Sequence, residues 1–133
     1  MSAVMQNIND RTHDETHLVH DGIKSHPAWR GSISGLKAEK MLRGKTPYLY
    51  ILRTGHFQNE HEVEYYATFV HADGSVRHQP FVVTTTSEGW SYENHGQLGP
   101  LNHGMYSIGD VVHFIMHCRQ EEASAFSRFA EEA

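Results

Sequence analysis

A chain of 133 residues, 38% of them hydrophobic, is long enough for one domain with its own core and too short for several. A formal net charge of −5 argues against broad binding to nucleic acid or to an anionic membrane surface, since both call for a basic stripe. No apolar run approaches membrane-spanning length and no signal peptide is visible at the N-terminus, while the single cysteine, Cys118, excludes an internal disulfide and suits a reducing, cytoplasmic compartment.

Residues 1–26 show no sustained apolar periodicity and read as a flexible arm, with ordered structure expected from Pro27. The stretch SGLKAEKMLRG, 34–44, reads as a helix. Ser34 is placed to N-cap it, Gly44 to end it, and Ala38, Met41 and Leu42 give it a core-facing stripe. In PYLYILRTG, 47–55, the five residues from Tyr48 to Leu52 form an apolar run that predicts a strand buried on both faces. Arg53 closes that run. It shares a face with Leu49 and Ile51, so its guanidinium emerges at the buried margin of the protein and needs an anionic partner there.

VEYYATFV, 63–70, predicts a second strand, and Asp73-Gly74 a hairpin turn into a third, VRHQPFVV, 76–83. Pro80 has no N–H for a ladder and should stand at an edge or a bulge. Residues 84–106 are rich in turn residues, with a short strand at 89–92, whose Trp90 and Tyr92 read as core. SIGDVVHFIM, 107–116, is a second helix. Ser107 and Asp110 form its N-terminal capping pattern, and Ile108, Val111, Val112 and Ile115 fall on one face. The acidic tail, 119–133, reads as helical through Ala123, Phe126 and Phe129. The fold class expected is α+β: a small central antiparallel sheet flanked by two helices, with an enlarged loop before the second.

Four segments in this order resemble the Src-homology 2 (SH2) domain family. PAWRGSISGLKAEKML resembles the segment that opens such a domain and leads into its first helix. YILRTG stands where the family carries Phe-Leu-Val-Arg-Glu-Ser, DGSVRHQPF resembles its next hairpin, and YSIGDVVHFI its second helix. The match covers about residues 27–117, so 27–118 is the expected domain.

The resemblance implies a non-catalytic module, without a cofactor and monomeric, whose partners are tyrosine-phosphorylated proteins or peptides. It places Arg53 on the phosphate and His78 facing the phosphotyrosine. A planar guanidinium fits that role because it can pair bidentately with phosphate. Thr54, Gly55, His56, Gln58 and Asn59 then form a phosphate loop that looks longer than usual. The sequence also departs from the family. Gly35 stands where a second arginine is frequent, Gly55 replaces a serine, and Pro80 replaces a lysine that packs on the tyrosine ring. Arg77 and Lys37 are candidate substitutes for the missing cations. Leu98 and Leu101 are candidates for a lid over the ligand, since apolar residues in a loop need something to cover.

Nothing beyond Cys118 resembles the closing strand and loop of the family. Low selectivity among phosphopeptides is therefore expected. This stripped binding half with an insertion resembles the SH2 domains of bacterial effectors that act in the host cytoplasm.

Each of these residues also has a plainer reading. Arg53 could pair with Glu62 or Glu64, and the polar loop residues could simply be solvated. The rival function is a small His-rich metal-binding protein or metalloenzyme. Twelve histidines invite it, as do the four-residue spacing of His113 and His117 and the cluster His13, His17 and His20. No glutamate follows His113, so the metalloprotease motif is absent.

Overall fold

In the computed structural model, which describes residues 19–59, 61–86, 89–94, 97–98 and 108–127, the apolar run and its polar continuation form one strand, β1, Leu49–Gln58. Side chains alternate along a strand, and here both faces of β1 are covered. Ile51 belongs to one cluster with Ala38, Leu42 and Val70, with Leu49 and Val76 against it. Tyr50 and Leu52 belong to the larger cluster on the other face, with Tyr65, Phe69, Phe81, Trp90, Val111, Val112 and Ile115. A strand between two cores reads as an unbroken hydrophobic run, as the sequence does at 48–52.

The architecture is α+β, with helices on both faces of a mixed six-stranded sheet. Strand β2 (Glu62–Val70) is antiparallel to β1 and to β3 (Val76–Thr86); β3 pairs with β4 (Gly89–Asn94), and β4 with β5 (Gln97–Leu98). Part of the expected enlarged loop is thus sheet; residues 99–107 lie outside the described residues, as does Ser107 of the capping pattern. Helix α1 is described over residues 19–24. Helix α2 (Gly35–Leu42) covers one sheet face, and α3 (Ile108–Ile115) covers the other. Among the described residues no helix is long and apolar enough to cross a membrane.

Local chemistry sets the boundaries. Ser34 caps α2, its hydroxyl accepting from the Lys37 N–H, and Gly44 follows the helix at φ +76°, a conformation that suits glycine. The β2–β3 turn places Gly74 at φ +88°, and the Asp73 carboxylate accepts from the Ser75 N–H and hydroxyl. Pro80 stands where β3 is an edge: pairing with β4 begins two residues on, at Val82 and Glu93, and the Asn94 side chain donates to the Pro80 carbonyl.

Three expectations are corrected. Residues 19–26 are not an arm: Val19 and Ile23 are buried in the larger core, His20 hydrogen-bonds Tyr65, and His26 contacts Tyr50. Within the tail, 119–127 forms no α-helix but a 3-10 turn over Gln120–Glu122 and a parallel strand, β6 (Ser124–Ala125), beside Leu49 and Tyr50. Ala123 and Ala125 pack against the larger core while Phe126 packs against the smaller, the alternation a strand imposes. The described part of the tail therefore holds a short edge strand. The supposed phosphate loop is also strand: β1 continues, through a break in register with β2, to Gln58, and residues 59–61 lie between it and β2.

The outer edge of β1 is covered by β6 at one end. At the other, Ala28 and Gly31 accept from Leu52 and Thr54 while Arg30 donates to Leu52. Residues 19–26 carry the sharpest test. Ile23 is fully buried, so Ile23→Ala should lower unfolding free energy by about 2–5 kcal/mol in urea titration. An unchanged midpoint would mean that this segment does not belong to the domain.

A buried arginine at the open end of the sheet

Helix α2 lies on the sheet with Leu42 over the Ile51–Val70 end, and its N-terminus reaches Arg53. Past that point no helix among the described residues covers the sheet face. Register decides which side chains meet there. Ile51 pairs with Thr68 and Thr68 with His78, forming one row across the sheet; Arg53, Tyr66 and Pro80 form the next. Directly opposed residues share a face, so Thr68 and His78 flank Arg53.

Arg53 is 8% exposed. Its Nε–H donates to Thr68 Oγ1 at 3.0 Å and its Nη2 to His78 Nδ1 at 3.1 Å. Those two nitrogens form one edge of the planar guanidinium, so that edge is fully engaged. Thr68 Oγ1 and His78 Nδ1 are 3.2 Å apart, which places the two acceptors side by side to match the edge. One face of the guanidinium lies over the Tyr66 ring, with Cζ 4.4 Å from the centroid, and the His56 ring meets Tyr66 edge-on at 5.4 Å.

What remains is the terminal fork: Nη1 with both its hydrogens and the second hydrogen of Nη2. Among the described residues no carboxylate pairs with it. The pairing with Glu62 or Glu64 considered from the sequence does not form; Glu64 Oε1 instead accepts from the His56 N–H at 2.6 Å. Burial draws the Arg53 pKa down from its ordinary value, with Tyr66 working in the opposite sense. The group stays cationic, as arginine does in proteins.

His78 is drawn below the ordinary imidazole range, first by burial and then by Arg53, against an opposing pull from Glu39. Neutral, with Nδ1 accepting from Arg53, it carries its proton on Nε2. That N–H has no acceptor among the described residues. The free groups around the fork are thus donors, which suits an anion.

The other candidates divide. His56 joins the site through a bulge: between Thr54 and Gln58, β1 advances four residues while β2 advances two, from Tyr65 to Val63. Gly55 lies inside the bulge against β2. A Cβ there would stand 2.6 Å from the Glu64 carbonyl oxygen, so the approach requires glycine. Thr54 pairs with Tyr65, whose side chain is in the core of the opposite face, and its N–H donates to Gly31.

Gln58 is five residues from Arg53 along the strand, roughly 16 Å, and Asn59 is spent on the turn, its side chain accepting from His61 and Glu62. Arg77 is opposite Phe69, on the other sheet face, and pairs with Asp73 at 3.2 Å. Lys37 is exposed on α2, about 200° round the helix from Gly35. Leu98 lies in β5 opposite Glu93, and Leu101 is outside the described residues. Tyr66 and Thr68 were not singled out from the sequence. Only the β1–β2 register shows that they border Arg53.

Among the described residues His113 of α3 and His117 beyond its end gain no third metal-ligating side chain. The helix ends at Ile115, His117 follows at φ +56°, and His113 Nδ1 is 3.2 Å from the Cys118 carbonyl. Among the described residues no three metal-ligating side chains converge; His13 and His17 lie outside them. Comparison with protein-family models and with curated proteins finds no match to this chain.

Burial also lowers the pKa of His26, whose Nδ1 accepts from the Ala28 N–H. With both values below the ordinary 6.5 in the folded state, the unfolded chain binds protons first as pH falls. Stability is therefore full above that value and is lost as pH drops through it toward the folded values. The thermal midpoint should fall from about pH 7.5 to about pH 5.5, and less steeply in His78→Gln. Identical slopes in the two proteins would show that His78 is not held neutral.

Proposed function

We propose that the protein is a phosphotyrosine-binding module of SH2 type, with Arg53 as the phosphate ligand. One observation carries the reading: Arg53, a residue only 8% exposed, is held along one edge of its guanidinium by Thr68 and His78 and presents its terminal fork with no carboxylate to meet it among the described residues. Among the described residues the buried side-chain nitrogen without a partner is His71 Nδ1, so the free Nη1 of Arg53 keeps contact with solvent and a ligand can reach it. A dianionic phosphate is a fitting counter-charge, since two of its oxygens match the fork. The sequence resemblance and the α+β layering support the same reading: a helix on each sheet face and the arginine on the strand between them.

The surroundings favour a phosphate carried on a ring. Tyr66 and Pro80 continue the row from Arg53, with His56 edge-on to Tyr66, so the space beside the fork is bordered by aromatic and apolar surface. Such surface suits an aryl group better than the short polar stem of phosphoserine. The expected low selectivity for flanking residues rests on the loops before and after the second helix, the first remodelled and the second without a recognisable counterpart in the sequence, and it stays part of the proposal; β6 adds two residues of strand beside Leu49 and Tyr50 and bears on neither loop. The bacterial-effector setting remains part of the proposal through the sequence resemblance alone.

Arg53→Ala should weaken binding of phosphotyrosine and of phosphotyrosine peptides by at least about 1.5–3 kcal/mol in calorimetric titration, with the fold retained. Arg53→Lys should bind nearly as poorly, because an ammonium lacks the planar fork. Unchanged affinity in a folded Arg53→Ala protein would overturn the proposal.

A further inference from the structure

The formal net charge of −5 conceals an uneven distribution. Residues 22–59 hold seven of the eleven lysines and arginines and one of the sixteen aspartates and glutamates, so this stretch carries +6 and the rest of the chain −11. Arg53 is buried, and Arg30 donates to the Pro27, Trp29 and Phe126 carbonyls. Four of the others, Lys37, Lys40, Arg43 and Lys45, stand on α2 or just past its end, and all four are exposed.

Helical spacing gathers them on one side. Ala38 and Leu42 are fully buried against the sheet and fix which side of α2 points inward. Leu36, Lys40 and Arg43 recur at i, i+4 and i+7 and so form one line along the helix, with Leu36 about 200° round from Ala38. Lys37 lies beside that line, and Lys45 follows the Gly44 stop. Glu39, the one carboxylate of this stretch, is half-buried and close enough to His78 to favour its imidazolium. Among the described residues none of the four cations pairs with a carboxylate; Lys45 Nζ instead lies 5.8 Å from the centre of the Phe126 ring.

The same line begins with Leu36, 72% exposed, the most exposed large hydrophobic group described. No described element lies against this face, which is the convex back of a helix and offers no groove. A bound peptide needs a groove or a free strand edge. A nucleic acid would meet the cations through its phosphates but gives a leucine among them nothing to contact. An anionic lipid surface matches both features: headgroups meet the cations, and an apolar side chain between them reaches the acyl boundary. The negative remainder of the molecule is repelled by that surface, which turns α2 toward it.

We propose that the outward face of α2, Leu36 with Lys37, Lys40, Arg43 and Lys45, docks the protein on an anionic phospholipid surface. The contact is peripheral, with Leu36 entering the headgroup region and the sheet held behind the helix. It uses none of the side chains around Arg53 and is independent of the phosphotyrosine reading.

Co-sedimentation of the full chain with vesicles of equal parts phosphatidylserine and phosphatidylcholine tests this. The protein should pellet with these vesicles and not with phosphatidylcholine alone, and raising salt from about 0.05 to about 0.5 M should release it. Each basic residue at such a surface is worth roughly fivefold in partition, so Lys40→Gln combined with Arg43→Gln should lower it at least about tenfold. Leu36→Ala should lower it about threefold. Lys24→Gln makes the same kind of charge change on α1, across the sheet, and should stay within about twofold of the parent, as should Arg53→Ala.

In the unmodified protein, a spin-labelled lipid in bicelles of the same composition should broaden the Leu36 and Lys40 amide resonances before those of α1, a readout that does not depend on how a variant folds. Failure to pellet with the anionic vesicles, or broadening that spares α2, overturns the proposal. Equal weakening by Lys24→Gln and by the α2 pair overturns it as well, because charge would then act without regard to face. Binding to a DNA duplex in place of the vesicles would assign the basic line to nucleic acid instead.

Discussion

An arginine only 8% exposed on a sheet face must have the buried edge of its guanidinium met by acceptors, because buried donors left unpaired cost more than a domain of this size has to spare. Much else in the structure follows from that constraint on Arg53. Its engaged edge needs two acceptors about 3 Å apart on neighbouring strands. Thr68 and His78 provide them only because β1, β2 and β3 are aligned so that 51, 68 and 78 form one row. A slip of one residue in either pairing would turn a whole strand over and carry these groups to the opposite face.

Hydrophobic burial on both faces fixes that alignment. Ile51 and Val70 must face α2 while Tyr50, Leu52, Tyr65 and Phe69 face the larger core, so neither β1 nor β2 can slip by one without exposing large apolar groups. The tight Asp73–Gly74 turn sets the β2–β3 register independently. The arginine sits where the constraint relaxes. Up to Arg53 the strand is pinned by helices on both sides; immediately beyond, β1 bulges at Gly55 and becomes a polar hairpin. The site is therefore built on rigid elements at the edge of the well-packed region, where a ligand can still enter.

The legible parts of the sequence were those in which local chemistry and burial agree. The Ser34 cap, the Gly44 stop, the run to Leu52, the Asp73–Gly74 turn and the apolar face of α3 each appear where expected. The β1 half of the hairpin beyond Arg53, residues 54–58, was hidden because it adds nothing to either core, although Val63 and Tyr65 opposite it are buried; without apolar alternation a polar strand reads as loop. Residues 19–26 offered only Val19 and Ile23 in an otherwise polar stretch, too few to show a periodicity, yet both are buried. Strand β6 is two residues long and joins the sheet through its backbone, which Ser124 and Ala125 do not advertise. The helical spacing of Ala123, Phe126 and Phe129 suggested a different element. Arg53, Gly55, His56 and His78 could be named from the sequence, but Tyr66 and Thr68 became visible only once the register was known.

Length explains why the site exists. Helix α2 has eight residues and spans about 12 Å at 1.5 Å per residue. Strand β1 has ten and spans about 33 Å at 3.3 Å per residue. The helix therefore covers little more than a third of the strand, ending over Arg53. Beyond it, Tyr66, Pro80 and Val82 remain half-buried, with no helix above them among the described residues. The surface changes character over a few ångströms: donors gather at the helix end, and aromatic and apolar groups follow along the sheet. A matching occupant must show the same order, with anionic acceptors at one end and a flat apolar body behind. An inorganic anion meets only the first requirement and a plain aromatic side chain only the second. An aryl phosphate meets both, and so the proposed ligand follows from where the helix stops as much as from the arginine beneath it.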